Sequence, residues 1–179
     1  MNCTKAPNAN QEKNNMKNIL IVAAILLTGF YTKAQDQLAF PFQGGKEIMA
    51  QFFKDSLVVS PQLIAQKATG TAVFKFTADE KGNIKKIIIY YADDIALTQP
   101  IIAALQKSNH KWIIPDHEKL HDFIIPFSIR FTAPAVPGPG LQKAMYNYYS
   151  RRKPVLATDQ VPLDMATLLP AVTINYALQ

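Results

Sequence analysis

His117, Glu118 and His121 spell H-E-x-x-H within the stretch PDHEKLHDF, residues 115 to 123. On a helix, two histidines four residues apart share a face and can hold a zinc ion, while the glutamate between them polarises the metal's water. That chemistry needs several apolar helical turns around the motif and a third ligand farther along. Here Pro115 lies two residues upstream, strand-like alternation starts at Phe123, and beyond residue 122 the only acids are Asp159 and Asp164, with no histidine. The motif therefore reads as a solvated loop, with a zinc peptidase at His117, Glu118 and His121 as the remote alternative. Asp93 and Asp94 are adjacent carboxylates placed between a strand pattern and a helix pattern, the position of turn and capping groups. No Ser, His and Asp arrangement and no glycine-rich phosphate loop stands out, so the expectation is a protein without cofactor or catalytic residues.

The elements around the motif follow from periodicity. Ile48, Met49, Phe52, Phe53 and Leu57 recur at helical spacing, which predicts an amphipathic helix over 46–57 that ends at Ser60-Pro61. From Thr71 to Ala78, Ala72, Phe74, Phe76 and Ala78 alternate with Thr71, Val73, Lys75 and Thr77, the pattern of a strand with one buried face. A turn at Asp79–Asn83 leads into a second strand over Ile84–Tyr91. Thr98 is placed to cap a helix that has Pro100 in its first turn and ends near Ser108. The last strand is the clearest: Phe123, Ile125, Phe127, Ile129 and Phe131 point one way, and Ile124, Pro126, Ser128 and Arg130 the other. Pro126 cannot donate a ladder hydrogen bond, which marks this strand as an edge. The order helix-strand-strand-helix-strand predicts an α+β fold: a small antiparallel three-stranded sheet with two helices on one face.

Three regions are expected. In residues 1–35, a basic start at Met16–Asn18, the apolar run Ile19–Leu27 and the exit Thr32-Lys33-Ala34 form the pattern of a secretory signal. The run is shorter than the roughly 20 apolar residues a bilayer span takes. The polar residues 1–15 are either an over-long start ahead of Met16 or a genuine extension. Residues 36–132 form the domain, and 133–179 a Pro/Gly-rich linker with a C-terminal extension, in which LQKAMYNYYSRRKP is a short-helix candidate and VTINYALQ a strand candidate. The net charge of +6 dissolves on division, since residues 36–132 carry eleven basic and ten acidic side chains. A near-neutral domain gives no electrostatic case for nucleic acid. The one cysteine, Cys3, precedes the cleavage region, so the exported part has no disulfide.

In order along residues 41 to 132, GGKEIMAQFF, SPQLIAQKATGTAVFKFTADEKGNIKKIIIYY, IIAALQKSNHKWIIP and IPFSIRF resemble the C-terminal domain of TonB-like energy transducers. The shared marks are Asp79-x-x-Gly82-x-Ile84, Trp112-x-x-Pro115 and the ending Pro126-x-x-Ile129-Arg130-Phe131. The resemblance implies a periplasmic module that grips an extended segment of an outer-membrane receptor by adding it as a strand. Carried over by position, the gripping edge is Ile124, Ile125, Pro126, Phe127, Ser128, Ile129, Arg130 and Phe131, and Trp112 is a core or groove position. Ser60-Pro61 stands where the family commonly has Tyr-Pro, and a long proline-rich spacer is missing. Membrane contact is expected only if the leader stays uncut, and self-association as a homodimer is left open. The alternative is an accessory protein of cell-envelope assembly that uses its helices or tail.

Overall fold

The computed structural model describes residues 40–132, 138–157 and 162–178, which belong to one compact unit, Ala39–Gln179. The expected leader lies outside the described residues. Helix α1, Gly45–Ser56, starts after Gly44 and buries Met49 and Phe53. A five-residue helix α2, Pro61–Ala65, follows at once, with the Ser60 hydroxyl accepting from the Leu63 N–H and Pro61 in the first turn. The same Ser-Pro pair that ends one helix thus begins another.

Strands β1, Gly70–Asp79, and β2, Ile84–Ala92, form the expected hairpin. Its turn is organised by Asp79, whose carboxylate accepts from the backbone N–H groups of Lys81 and Asn83 and pairs with Lys85 at 2.9 Å. The Lys85 contact, helped by those N–H groups, holds the Asp79 carboxyl well below the usual carboxylate range. Gly82 has φ of 74°, and a Cβ there would lie 2.6 Å from the Trp112 carbonyl oxygen. Only glycine satisfies both the left-handed backbone and that approach.

A 3-10 turn, Ile95–Leu97, capped by Asp94, leads into helix α3, Thr98–Lys107. Thr98 is therefore not a cap: α3 continues from the Asp94-capped turn with no side-chain cap of its own, and the buried Thr98 hydroxyl donates back to the Ile95 carbonyl. Strand β3, Leu120–Thr132, pairs antiparallel with β1 over Gly70↔Ile129 to Asp79↔Leu120. Phe74, Phe76, Phe123, Ile125, Phe127 and Ile129 line the face covered by α1 and α3, where Phe53 meets Phe127 edge-on at 5.2 Å.

The expectation of three antiparallel strands and two helices is overturned by helix α2 and by the segment after residue 137. Helix α4, Pro139–Arg151, and strands β4, Val155–Leu156, β5, Thr167–Leu168, and β6, Val172–Ala177, join the same unit. Among the described residues the sheet is six-stranded and mixed, ordered β4-β2-β1-β3-β5, with β6 also on β3, and four α-helices accompany it. The physical reason is that β3 has a second row of backbone groups and an apolar flank. Leu169, Val172, Ile174 and Tyr176 bury themselves there.

Candidate functional site

The expected gripping edge, Ile124–Phe131, is on β3, and in the structure its outer side is paired. β5 lies parallel to it at Phe123↔Thr167 and Ile124↔Leu168, and β6 is parallel from Phe127↔Val172 to Thr132↔Ala177. Between these two pairings lies Pro126, with Pro170 on the facing segment. The missing N–H of Pro126 thus falls at an interruption in the ladder. The proline marks the site of a break, while the neighbouring positions accept strands.

The added strand uses both of its faces. Val172, Ile174 and Tyr176 are buried, and the Tyr176 hydroxyl donates to the Ala68 carbonyl at 2.8 Å, closing the seam against the end of α2. Burial pushes the Tyr176 phenol up to about 12. On the other face Thr173 and Asn175 lie beside Ser128 and Arg130, and the Arg130 guanidinium donates to the Ser128 hydroxyl at 3.0 Å.

The segment leading to β6 is fastened by two polar clamps. On the face away from the helices, Lys75 is buried at 5% exposure, pairs with Asp122 at 2.7 Å and donates to the Pro162 carbonyl. Thr77 donates to the other oxygen of Asp122 at 2.6 Å. Partial burial would raise the Asp122 carboxyl, but the Lys75 and Thr77 hydrogen bonds outweigh it and leave the group below its ordinary value. On the helix face, His121 has Nδ1 2.7 Å from Glu118 and Nε2 2.7 Å from the Thr167 hydroxyl.

This second clamp is where the H-E-x-x-H residues go. His117 is exposed in a left-handed turn with φ of 70°, whereas His121 is buried on β3. The two histidines are on different elements, and the helix that a zinc peptidase needs is replaced by a turn and a strand. Among the described residues no group of three metal-ligating side chains is assembled. Glu118 and His121 do act together, on the tail. Sequence spacing could not show this, because Thr167 is 46 residues away.

Trp112 is 3% exposed, packed among Phe42, Phe76 and Phe123, and its Nε1 donates to the Ser108 hydroxyl at 2.9 Å. It is an anchor under the sheet rather than a groove wall. Asp93 accepts from the Thr71 N–H and the Tyr91 hydroxyl, and Asp94 caps the 3-10 turn, so both carboxylates serve the turn. Arg152 stacks on Tyr149 and lies 3.9 Å from Asp93, which docks α4 across the end of the hairpin.

Comparison with protein-family models, with curated proteins and with solved structures finds no match to this chain. Among the described residues no helix is long and apolar enough to cross a membrane.

Proposed function

We propose that the protein is a non-enzymatic, exported protein-binding module that captures an extended segment of a partner by strand addition at β3. Its own strand β6 holds that place until the partner arrives. The observation that carries this reading is the parallel pairing from Phe127↔Val172 to Thr132↔Ala177. It supplies what a captured peptide would need: backbone ladder bonds, pockets for alternate apolar side chains and a solvent-side row for selectivity. The resemblance to the TonB C-terminal domain supports a segment of an outer-membrane receptor as the occupant and the periplasm as the compartment.

The strength of the internal occupant decides whether exchange is feasible. Leu169, Val172, Ile174 and Tyr176 are buried at the seam, and its ladder bonds and the two clamps add to that burial in offsetting the cost of ordering the tail. A tethered strand also competes at an effective concentration on the order of millimolar. A partner segment wins by carrying the same apolar alternation with better side-chain fit, and its affinity rises as the tether is weakened.

A cross-link tests this. Ser128 and Thr173 are register neighbours on the face away from the helices. Adjacent strands lie about 4.8 Å apart, within the Cα range of a disulfide. In the full chain with Cys3→Ser, the pair Ser128→Cys and Thr173→Cys should lose capture of solubilised TonB-dependent receptors when oxidised and regain it on reduction. Equal capture in both redox states would exclude β3 as the gripping strand.

A further inference from the structure

Helix α4 and the turn at Asp94–Ala96 face each other across a cleft of about 490 Å³, within the range of small-molecule sites. The helix lines it with Ala144, Tyr148 and Arg151, which share one face at spacings of four and three, and Lys153 follows from the loop. Two polar groups at its floor are buried and short of partners. Asp94 is 7% exposed, and among the described residues its carboxylate accepts only from the Ala96 N–H, at 3.1 Å, and forms no ion pair. Tyr148 is 6% exposed, and its buried hydroxyl lies near that carboxylate with no hydrogen-bond partner among the described residues. Burial and the Asp94 charge push the phenol above its ordinary value, so it stays a protonated donor. A buried carboxylate and hydroxyl left in this state carry a desolvation cost that a bound ligand relieves. At the rim, Arg151 and Lys153 are exposed and form no ion pair among the described residues. The stretch Pro139–Ala157 contains no acidic residue to neutralise them.

We propose that this cleft binds a small zwitterion, a free amino acid or a short peptide, with its ammonium on Asp94 and its carboxylate between Arg151 and Lys153. An anion alone would meet the Asp94 charge, and a cation alone would meet two like charges at the rim. A molecule with both ends gives each charge a partner. The ammonium supplies the donors that the Asp94 carboxylate lacks, the Tyr148 hydroxyl adds a polar neighbour at the same end, and the planar Arg151 fork suits a carboxylate. None of the lining residues belongs to β3 or β6, so the site does not rest on strand addition at β3.

The test is titration of the full chain with L-leucine and, separately, with L-alanyl-L-leucine, followed by backbone amide NMR shifts. At least one probe should bind with a Kd between about 10 µM and 1 mM, the range open to a ligand of this size, and move the amides of Ile95, Ala96, Ala144 and Tyr148. Which of the two binds tells a free amino acid from a peptide as the source. N-acetylation and C-amidation of the binding probe should each weaken it at least about tenfold, the size of one charge-assisted hydrogen bond. Asp94→Asn keeps an acceptor for the Ala96 N–H, and it should erase the difference between free and acetylated probe. Arg151→Gln, at an exposed position, should shrink the difference between free and amidated probe, and it decides the matter if Asp94→Asn does not fold. No binding of either probe below about 10 mM, equal binding of free and blocked probes, shifts confined to residues outside the cleft, or unchanged discrimination in the folded variants would each overturn the proposal.

Discussion

On its β1 side, β3 runs antiparallel through ten consecutive register pairs, Gly70↔Ile129 to Asp79↔Leu120. On its tail side it is parallel, with two pairs to β5 and six to β6, separated at Ile125–Pro126. The two seams span similar distances in sequence, so locality does not distinguish them. Continuity and burial do. Phe74 and Phe76 on β1 are fully buried, while β6 hides Val172, Ile174 and Tyr176 and leaves Asn175 and Ala177 in water. One seam lies at the centre of the core and the other at its rim, where opening costs least.

The largest expected effect separates the seams directly. Phe74→Ala should cost about 3–5 kcal/mol and lower the urea midpoint of the whole unit. Ile174→Ala, at the rim where neighbours can close in, should cost about 2 kcal/mol. Native-state hydrogen exchange distinguishes the two variants. Phe74→Ala should speed exchange throughout the sheet, whereas Ile174→Ala should act mainly on Val172–Ala177 and the β3 amides facing it. Uniform loss of protection in both variants would show that the tail seam is as central as the hairpin seam.

Much of the central seam was legible from residue alternation. The Phe74, Phe76 and Phe123, Ile125, Phe127, Ile129 rows repeat every second residue, and that period has one structural meaning. The tail had weaker signals. β4 and β5 are two residues long, too short to show a period, and β6 was readable as a strand but not as the parallel neighbour of β3. Helix α2 was missed, because Ser60-Pro61 was read only as the end of the first helix, although the hydroxyl-then-proline logic applied at Thr98 holds at Ser60 and fails at Thr98, where Asp94 caps the preceding 3-10 turn. Lys75 shows the limit of strand reading. Alternation places it opposite Phe74 and Phe76, on a face expected to meet water, and the Pro162 carbonyl reveals that the tail covers it. The same holds for His121, whose partner Thr167 becomes visible only after folding.

A smaller effect would sharpen the comparison through charge. Lys75→Met removes the ammonium from Asp122 and the donor to the Pro162 carbonyl. The expected cost is about 1.5 kcal/mol, at the low end for a charged hydrogen bond because Asp122 keeps a third of its side-chain surface in water. The Asp122 carboxyl lies below its ordinary value in the folded chain, so the stability it contributes is present above about pH 4 and lost as pH falls through the folded value. Wild-type protein should therefore lose tail protection on acidification, and Lys75→Met should show a flatter acid limb. An unchanged acid limb in the variant would remove Lys75 as the cause.

The smallest expected effect acts at the alkaline end and on β6 alone. Tyr176 donates to the Ala68 carbonyl and its phenol is pushed up to about 12 by burial. An unfolded tyrosine ionises near pH 10, so between about pH 10 and 12 the open tail releases a proton that the docked tail keeps. The Tyr176 contribution is therefore complete below pH 10 and declines as pH rises through the folded value. Tyr176→Phe should cost about 1 kcal/mol at neutral pH, the usual size of one hydrogen bond, and flatten this residue's share of the alkaline decline. If β6 is the exchangeable occupant of β3, the variant should also bind partner segment more tightly at pH 7, because a weaker internal strand competes less. A variant that is less stable yet captures no better would place the lost stability in the core and leave the tail seam as permanent as the one beside β1.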